Sequence, residues 1–318
     1  MSEQYHVSSS PHVRAKDSTS LIMLYVIIAL LPTTFVGIWN FGWRALVLIL
    51  VTILSCVASE WVFNKIIHKE NTIGDLSAVV TGLLLALNLP STLPVWEAVL
   101  GGVFAIIIVK CMYGGLGQNF MNPALGGRCF LVIAFAADMT RFIPGTRYEG
   151  VSEATPLALI RNANGALTDV NVMDMLLGKT AGTIGETSVI AILLGAIFLI
   201  LAGVINLRIP ASYIISFAIF MFIFGASRFD ANYLVAELCG GGLMLGAFFM
   251  ATDYATRPIT KNGQILFGIF LGIMTGIFRM FGPGAEGVSY SIILGNLLVP
   301  LMEKITLPKP FGKGGEKR

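Results

Sequence analysis

Charged side chains are scarce in this sequence. Asp, Glu, Lys and Arg make up 12% of the 318 residues, against about 25% in an average soluble domain. The polar surface that remains is too small to keep a compact chain of this size in water, which excludes a soluble enzyme and a disordered chain. The net charge of +3 gives no sign of a polyanionic partner, so we expect no nucleic acid to bind.

Cysteine is rare as well. None of the four cysteines forms a CxxC pair, whereas an iron–sulfur or zinc site needs clustered ligands. We interpret the cysteines as small buried apolar side chains. They are Cys56, Cys111, Cys129 and Cys239, all within or beside apolar runs.

Long apolar runs fill most of the chain. A transmembrane helix needs about 20 mostly apolar residues, and these runs lack the alternation that is typical of a membrane β-barrel. The sequence therefore predicts an all-α membrane protein with about ten transmembrane helices, embedded in lipid. The candidate segments are 21–39, 44–64, 73–89, 95–113, 121–137, 189–205, 210–226, 231–251, 263–281 and 288–305.

The distribution of Lys and Arg predicts the orientation. Most of them face one side if both termini are cytoplasmic, as the positive-inside rule requires. The first residues are polar, and we expect no signal peptide. The predicted parts are a cytoplasmic segment (1–20), a first five-helix unit (21–137), an extracytoplasmic loop (138–188), a second five-helix unit (189–305) and a basic cytoplasmic tail (306–318).

The two five-helix units resemble each other. Residues 82–90 are similar to 242–250, and residues 113–115 are similar to 281–283. Two units with an odd number of spans must have opposite orientations, which is the inverted-repeat architecture of many transporters. The alternative is chance similarity between helices that are rich in Gly and Leu.

Two apolar runs are interrupted by proline at corresponding places, 88–94 and 251–258. In inverted repeats, ligand sites lie near the membrane midplane where helices are broken, although loops at the membrane surface would look the same. Asp253 borders an apolar helix, where a carboxylate is often functional. Alternatively it forms an ion pair with Arg257, four residues on.

A glycine-rich cluster spans residues 114–128. Asn119 and Asn122 can each donate and accept hydrogen bonds, and Pro123 suits the first turn of a new helix. Arg128 follows inside an apolar helix, where an unpaired guanidinium is costly, so it must meet an anion. Candidate partners are Asp138, Asp253 and the phosphate or polar ring edge of a cofactor.

The long loop contains a conspicuous stretch, residues 149–157. Thr155 precedes Pro156, which is the pattern of a helix start with Thr155 as N-cap. A threonine hydroxyl is a poor nucleophile without a base, and none of the three histidines stands near it. The sequence therefore favours modification by a separate enzyme over self-catalysis.

The residues before the first helix (10–20), the cluster 114–128 and the stretch 149–157 together resemble the D subunits of Rnf complexes. These complexes are ion-translocating ferredoxin:NAD oxidoreductases of bacterial membranes, and their D subunits are similar to the B subunit of the sodium-translocating NADH:quinone reductase. The resemblance covers essentially the whole chain. It implies an electron-transfer subunit of a redox-driven sodium or proton translocase in the bacterial inner membrane, not catalytic alone.

The resemblance also implies flavin cofactors. FMN would be joined to Thr155 through a phosphoester by a flavin transferase, with Ser152 helping the transferase to recognise the loop. Glu153 departs from the family motif, which has Gly there, and adds a negative charge beside the incoming phosphate. A second flavin, riboflavin, is bound without a covalent link in some members, and Asn122 and Arg128 are our candidates for contacting it.

The implied partners are the A, B, C, E and G subunits of the Rnf complex, especially the G subunit with its own FMN. Ion translocation would use Asp253, Asn88 and Glu237 of this chain or lie in companion subunits. The alternative function is a stand-alone solute channel or transporter of inverted-repeat type without a cofactor.

Overall fold

The computed structural model describes residues 18–143, 154–167, 170–282 and 286–308. Within these ranges the secondary structure is helical, apart from an isolated β-bridge between Pro90 and Thr183. The first half contains α1 (Thr19–Phe41), α2 (Trp43–Ile66), α3 (Ser77–Leu87), α4 (Val95–Tyr113), α5 (Pro123–Ala134) and α6 (Ala136–Met139).

The second half begins with two short helices, α7 (Pro156–Asn162) and α8 (Val172–Leu177). The later helices are α9 (Val189–Leu201), α10 (Arg208–Phe224), α11 (Ala231–Cys239), α12 (Leu243–Met250), α13 (Lys261–Phe281) and α14 (Val288–Thr306).

Each of the ten predicted apolar segments contains a helix, so the all-α prediction is confirmed for the described residues. Five helices, α1, α2, α4, α13 and α14, are long and apolar enough to cross a membrane, and α11 with α12 forms a sixth candidate bent by 63°. The count of ten spans is not confirmed, because α3, α5, α9 and α10 are shorter than 18 residues. The 11 residues of α3 reach about half the thickness of a hydrocarbon core.

Left-handed backbone precedes a short helix in each half. Leu76 has φ 62° immediately before α3, and Gly242 has φ 67° immediately before α12. A side chain makes this conformation costly, so Leu76 stores strain that Gly242 avoids. In both halves the turn lets a broken helix start inside the protein.

Small residues allow α10 and α13 to pack closely. Gly268, Gly272 and Gly276 form a stripe along α13 that faces α10. A Cβ atom at Gly272 would lie 2.6 Å from the backbone nitrogen of Phe217 and 2.7 Å from the carbonyl oxygen of Tyr213. Such small-residue stripes let helix backbones approach each other in membranes, where burial of apolar surface gives little driving force.

The final part of the predicted loop 138–188 enters the interior of the protein. The Ile184 N–H donates to the Leu89 carbonyl at 3.0 Å, and the Gly185 N–H donates to the Leu87 carbonyl at 2.7 Å. Ile184 is fully buried. The carbonyls at the broken end of α3 therefore find partners in residues 178–188, which also bring Glu186 inside.

Candidate functional site

Thr155 lies at the start of α7, as the helix-start interpretation predicts. Its Oγ1 accepts a hydrogen bond from the Ala158 N–H at 3.4 Å, and Pro156 occupies the first turn. Buried Leu157 and Ile160 hold α7 against the protein. Thr155 itself is half-buried.

Arg128 is buried in α5 among polar groups from three other parts of the chain. Its Nη1 donates to Asn88 Oδ1 at 3.1 Å and to Ser289 Oγ at 2.9 Å. The same nitrogen lies 3.4 Å from Glu186 Oε1, and Nη2 forms an ion pair with Glu286. The expectation that Arg128 meets an anion is confirmed, but its carboxylate partners are not Asp138 or Asp253.

Thr155 and the Arg128 cluster share a small cavity. Glu186 and Glu286 line this space of about 20 Å³ together with Thr155, a volume that holds about one water molecule. Two carboxylates face a single guanidinium, so the cluster carries one negative charge in excess when all three groups are ionised. Burial, helped by the nearby Glu286 carboxylate, raises the pKa of Glu186 to about 7.

A second, mostly apolar cavity, called the larger cavity below, lies between the two halves of the chain. It adjoins a wider opening. The cavity has a volume of about 80 Å³ and the opening about 460 Å³. Polar groups on the cavity wall include those of Lys110, Asn119, Asn122 and Asp253. The Asn119 Oδ1 atom is buried without a hydrogen-bond partner, whereas the Asn122 amide caps α5 and donates to the Met250 carbonyl.

The three residues considered for an ion path occupy separate environments. Asn88 contacts Arg128, and Glu237 forms a buried ion pair with Arg279 at 2.8 Å. Asp253 lines the larger cavity and its Oδ2 accepts from Thr256 Oγ1 at 3.3 Å. These contacts do not join them into one polar route among the described residues.

Comparison with known proteins shows what the chain is related to. The model of the NQR2, RnfD, RnfE family matches residues 6–312. The chain belongs to this family. It is 47% identical over 311 residues to the D subunit of the Na(+)-translocating ferredoxin:NAD(+) oxidoreductase complex of Acetobacterium woodii, covering 96% of this chain and 95% of that protein.

Two further relatives extend the comparison within the NQR2, RnfD, RnfE family. The D subunit of the proton-translocating ferredoxin:NAD(+) oxidoreductase complex of Clostridium ljungdahlii is 39% identical over 322 residues, covering 97% of this chain and 96% of that protein. The D subunit of the ion-translocating oxidoreductase complex of Escherichia fergusonii is 31% identical over 348 residues, covering 97% and 98%. The resemblance drawn from the sequence is thereby confirmed.

The structure brings only some of the predicted site residues together. Thr155 lines the small cavity together with Glu186 and Glu286, and Arg128 contacts both of these carboxylates. Asn122 lies elsewhere, on the wall of the larger cavity. Ser152, like the departing residue Glu153, lies outside the described residues. Sequence reasoning missed Glu186 and Glu286, although the need of Arg128 for an anion was the signal that could have led to them. It also missed Lys110, which lines the larger cavity together with Asn119 and Asn122.

Proposed function

We propose that this chain is the membrane-embedded electron-transfer subunit of an ion-translocating ferredoxin:NAD oxidoreductase complex. The observation that carries this proposal is the full-length similarity to the D subunits of such complexes, at 47% and 39% identity. The function of a stand-alone channel or transporter would not account for those relatives. One relative is named for sodium and one for protons, so either ion fits the proposal.

We propose further that FMN is attached to Thr155 through a phosphoester. The Thr155 Oγ1 accepts a hydrogen bond but donates none among the described residues. Replacing its hydrogen by a phosphoryl group therefore removes no contact of the hydroxyl, and the ester oxygen can still cap α7. A flavin supplies one- or two-electron transfer when bound, and the buried face of α7 fixes the point at which it is held.

We also propose that the larger cavity takes the polar edge of a second, non-covalent flavin. A flavin ring carries one N–H donor between two carbonyl acceptors, and the unpartnered Asn119 Oδ1 can accept from that donor. The remaining wall is mostly apolar, which suits the rest of the ring. Arg128 is not part of this proposal, because it contacts two carboxylates elsewhere.

Inverted five-helix repeats also remain our proposal. In support, left-handed backbone precedes α3 and α12. A buried glutamate also pairs with a buried cation in each half, Glu60 with Lys110 and Glu237 with Arg279. Cytoplasmic termini, an extracytoplasmic Thr155 and contact with an FMN-bearing G subunit stay predictions.

Flavin attachment can be tested on denatured protein. The chain is produced in cells that contain the flavin transferase, separated on a denaturing gel and viewed for flavin fluorescence. We expect a fluorescent band for the wild type and a dark band for T155V, with one FMN minus one water on the peptide that contains Thr155. T180V is a matched control, because Thr180 lines the same small cavity, and it is expected to keep its fluorescence. A dark wild-type band contradicts the attachment.

A further inference from the structure

Lys110 is a buried cation at the end of α4. The second half of this helix contains a π-helical stretch, Phe104–Lys110, a distortion that is frequent at functional sites. Lys110 is 2% exposed, and its Nζ donates to Glu60 Oε2 at 2.8 Å and to Ser77 Oγ at 2.6 Å. An ammonium group has three N–H donors, and among the described residues the third has no protein acceptor.

The ion pair between Lys110 and Glu60 presents only its lysine to the larger cavity. Lys110 and Ser77 line the cavity, whereas Glu60 lies behind them and accepts a further hydrogen bond from Thr72 Oγ1 at 2.6 Å. Lys110 is the one cation on the described cavity wall, and Asp253 is the one carboxylate. The positive end of the Lys110–Glu60 pair therefore faces the cavity.

We propose that Lys110 is a positioning residue that sets the redox potential of the flavin in this cavity. This inference rests on the second flavin proposed above. One electron, supplied by a one-electron carrier of the same complex, reduces the flavin without forming or breaking a bond, and the negative charge stays on the ring. A charge interacts more strongly in a low-dielectric interior than in water, so the nearer ammonium outweighs the more distant carboxylate. The ion pair thus favours the reduced flavin.

Opposite effects of two variants distinguish this role from a structural one. K110Q removes the positive end and leaves Glu60 ionised, so we expect the equilibrium constant for one-electron reduction to fall at least about tenfold, or about 59 mV toward more negative potential. E60Q leaves the ammonium uncompensated and is expected to shift the potential in the positive direction. A general loss of packing would not give shifts of opposite sign.

The experiment uses the purified complex. A potentiometric titration of the intact complex measures the potential of the non-covalent flavin. In a separate sample, acid precipitation releases this flavin for quantification, while covalent flavin stays with the protein. K69Q is the matched control, because Lys69 is exposed and donates to the Gly114 carbonyl at 2.7 Å without lining the cavity. We expect its potential to equal that of the wild type.

Each outcome decides the proposal. If the flavin is retained and the potentials of K110Q and E60Q are unchanged or shift in the same direction, the role of Lys110 is overturned while the cavity proposal stands. If wild-type complex releases no flavin, both are overturned, and the fluorescent gel band still reports separately on Thr155. If K110Q does not assemble, K110Q/E60Q leaves no unpaired buried charge and is expected to shift the potential in the negative direction by a smaller amount.

Discussion

Arg128 offers the sharpest test of how the interior is stabilised. R128M removes the guanidinium and leaves Glu186 and Glu286 facing each other, with side-chain exposures of 6% and 22%. Removing one partner of a buried ion pair costs about 3–5 kcal/mol, because the remaining charge loses its compensation. Asn88 and Ser289 lose a hydrogen-bond donor in addition. We place the expected loss at the upper end of that range.

The loss is measured as the apparent melting temperature of the detergent-solubilised protein, followed by size-exclusion chromatography after heating. About 2–4 °C per kcal/mol is typical of large domains, so R128M is expected to melt on the order of 10 °C lower. R128M/E186Q/E286Q leaves no unpaired charge and is expected to recover most of that difference. R44M is the control, because Arg44 is exposed and its one side-chain hydrogen bond to a described residue is to the Thr92 carbonyl.

Two results would refute this reasoning. If R128M melts at the same temperature as R44M, the buried cluster does not contribute to stability as the contacts imply. If the compensated variant melts no higher than R128M, the loss comes from altered packing and not from uncompensated carboxylates.

Other variants test the packing, the titration and the second cavity. G272A is expected to lower the melting temperature by several degrees, because its Cβ would lie 2.6 Å from the α10 backbone; G74A, with nothing within 4 Å, should match the wild type. Glu186, with its pKa raised to about 7, binds a proton that the unfolded chain (about 4.3) does not hold. Relative to E186Q, the wild type should therefore gain stability as pH falls from about 8 to about 5.5, and a constant difference would contradict this. N119A should lower the amount of acid-releasable flavin, whereas N232A in α11 should not.

Helix starts were predictable from the sequence because capping is local chemistry. Asn122 caps α5 and Pro123 takes its first turn, and Thr155 with Pro156 does the same for α7. In both cases a short polar side chain satisfies free N–H groups, and the proline loses no hydrogen bond at that position. Residues two or three positions apart are enough to determine such a structure.

The partners of Arg128 were not predictable in this way. Glu186 is 58 residues away along the chain and Glu286 is 158 residues away. Neither lies on a periodic apolar face, since both stand in non-helical segments shortly before helices. The sequence indicated that a buried guanidinium needs an anion, but only the tertiary structure selects which carboxylates reach it.

The prediction of an ion pair between Asp253 and Arg257 was wrong for a specific reason. The two residues share one turn, because the Arg257 N–H donates to the Asp253 carbonyl at 3.2 Å, but their side chains have different partners: the Asp253 carboxylate accepts from Thr256. No ion pair joins the two described residues; the Arg257 guanidinium lies 4.3 Å from the centre of the Tyr254 ring.

The hydrogen bonds from Ile184 and Gly185 to the end of α3 have a consequence for biosynthesis. The first five helices leave the ribosome before these N–H groups exist. The carbonyls of Leu87 and Leu89 therefore lack these donors until a segment about a hundred residues further along the chain has been made. The amino-terminal half made alone should therefore keep an open, hydrated notch at this point. Completion of the chain past residue 188 closes it, which makes the two halves a single unit of assembly.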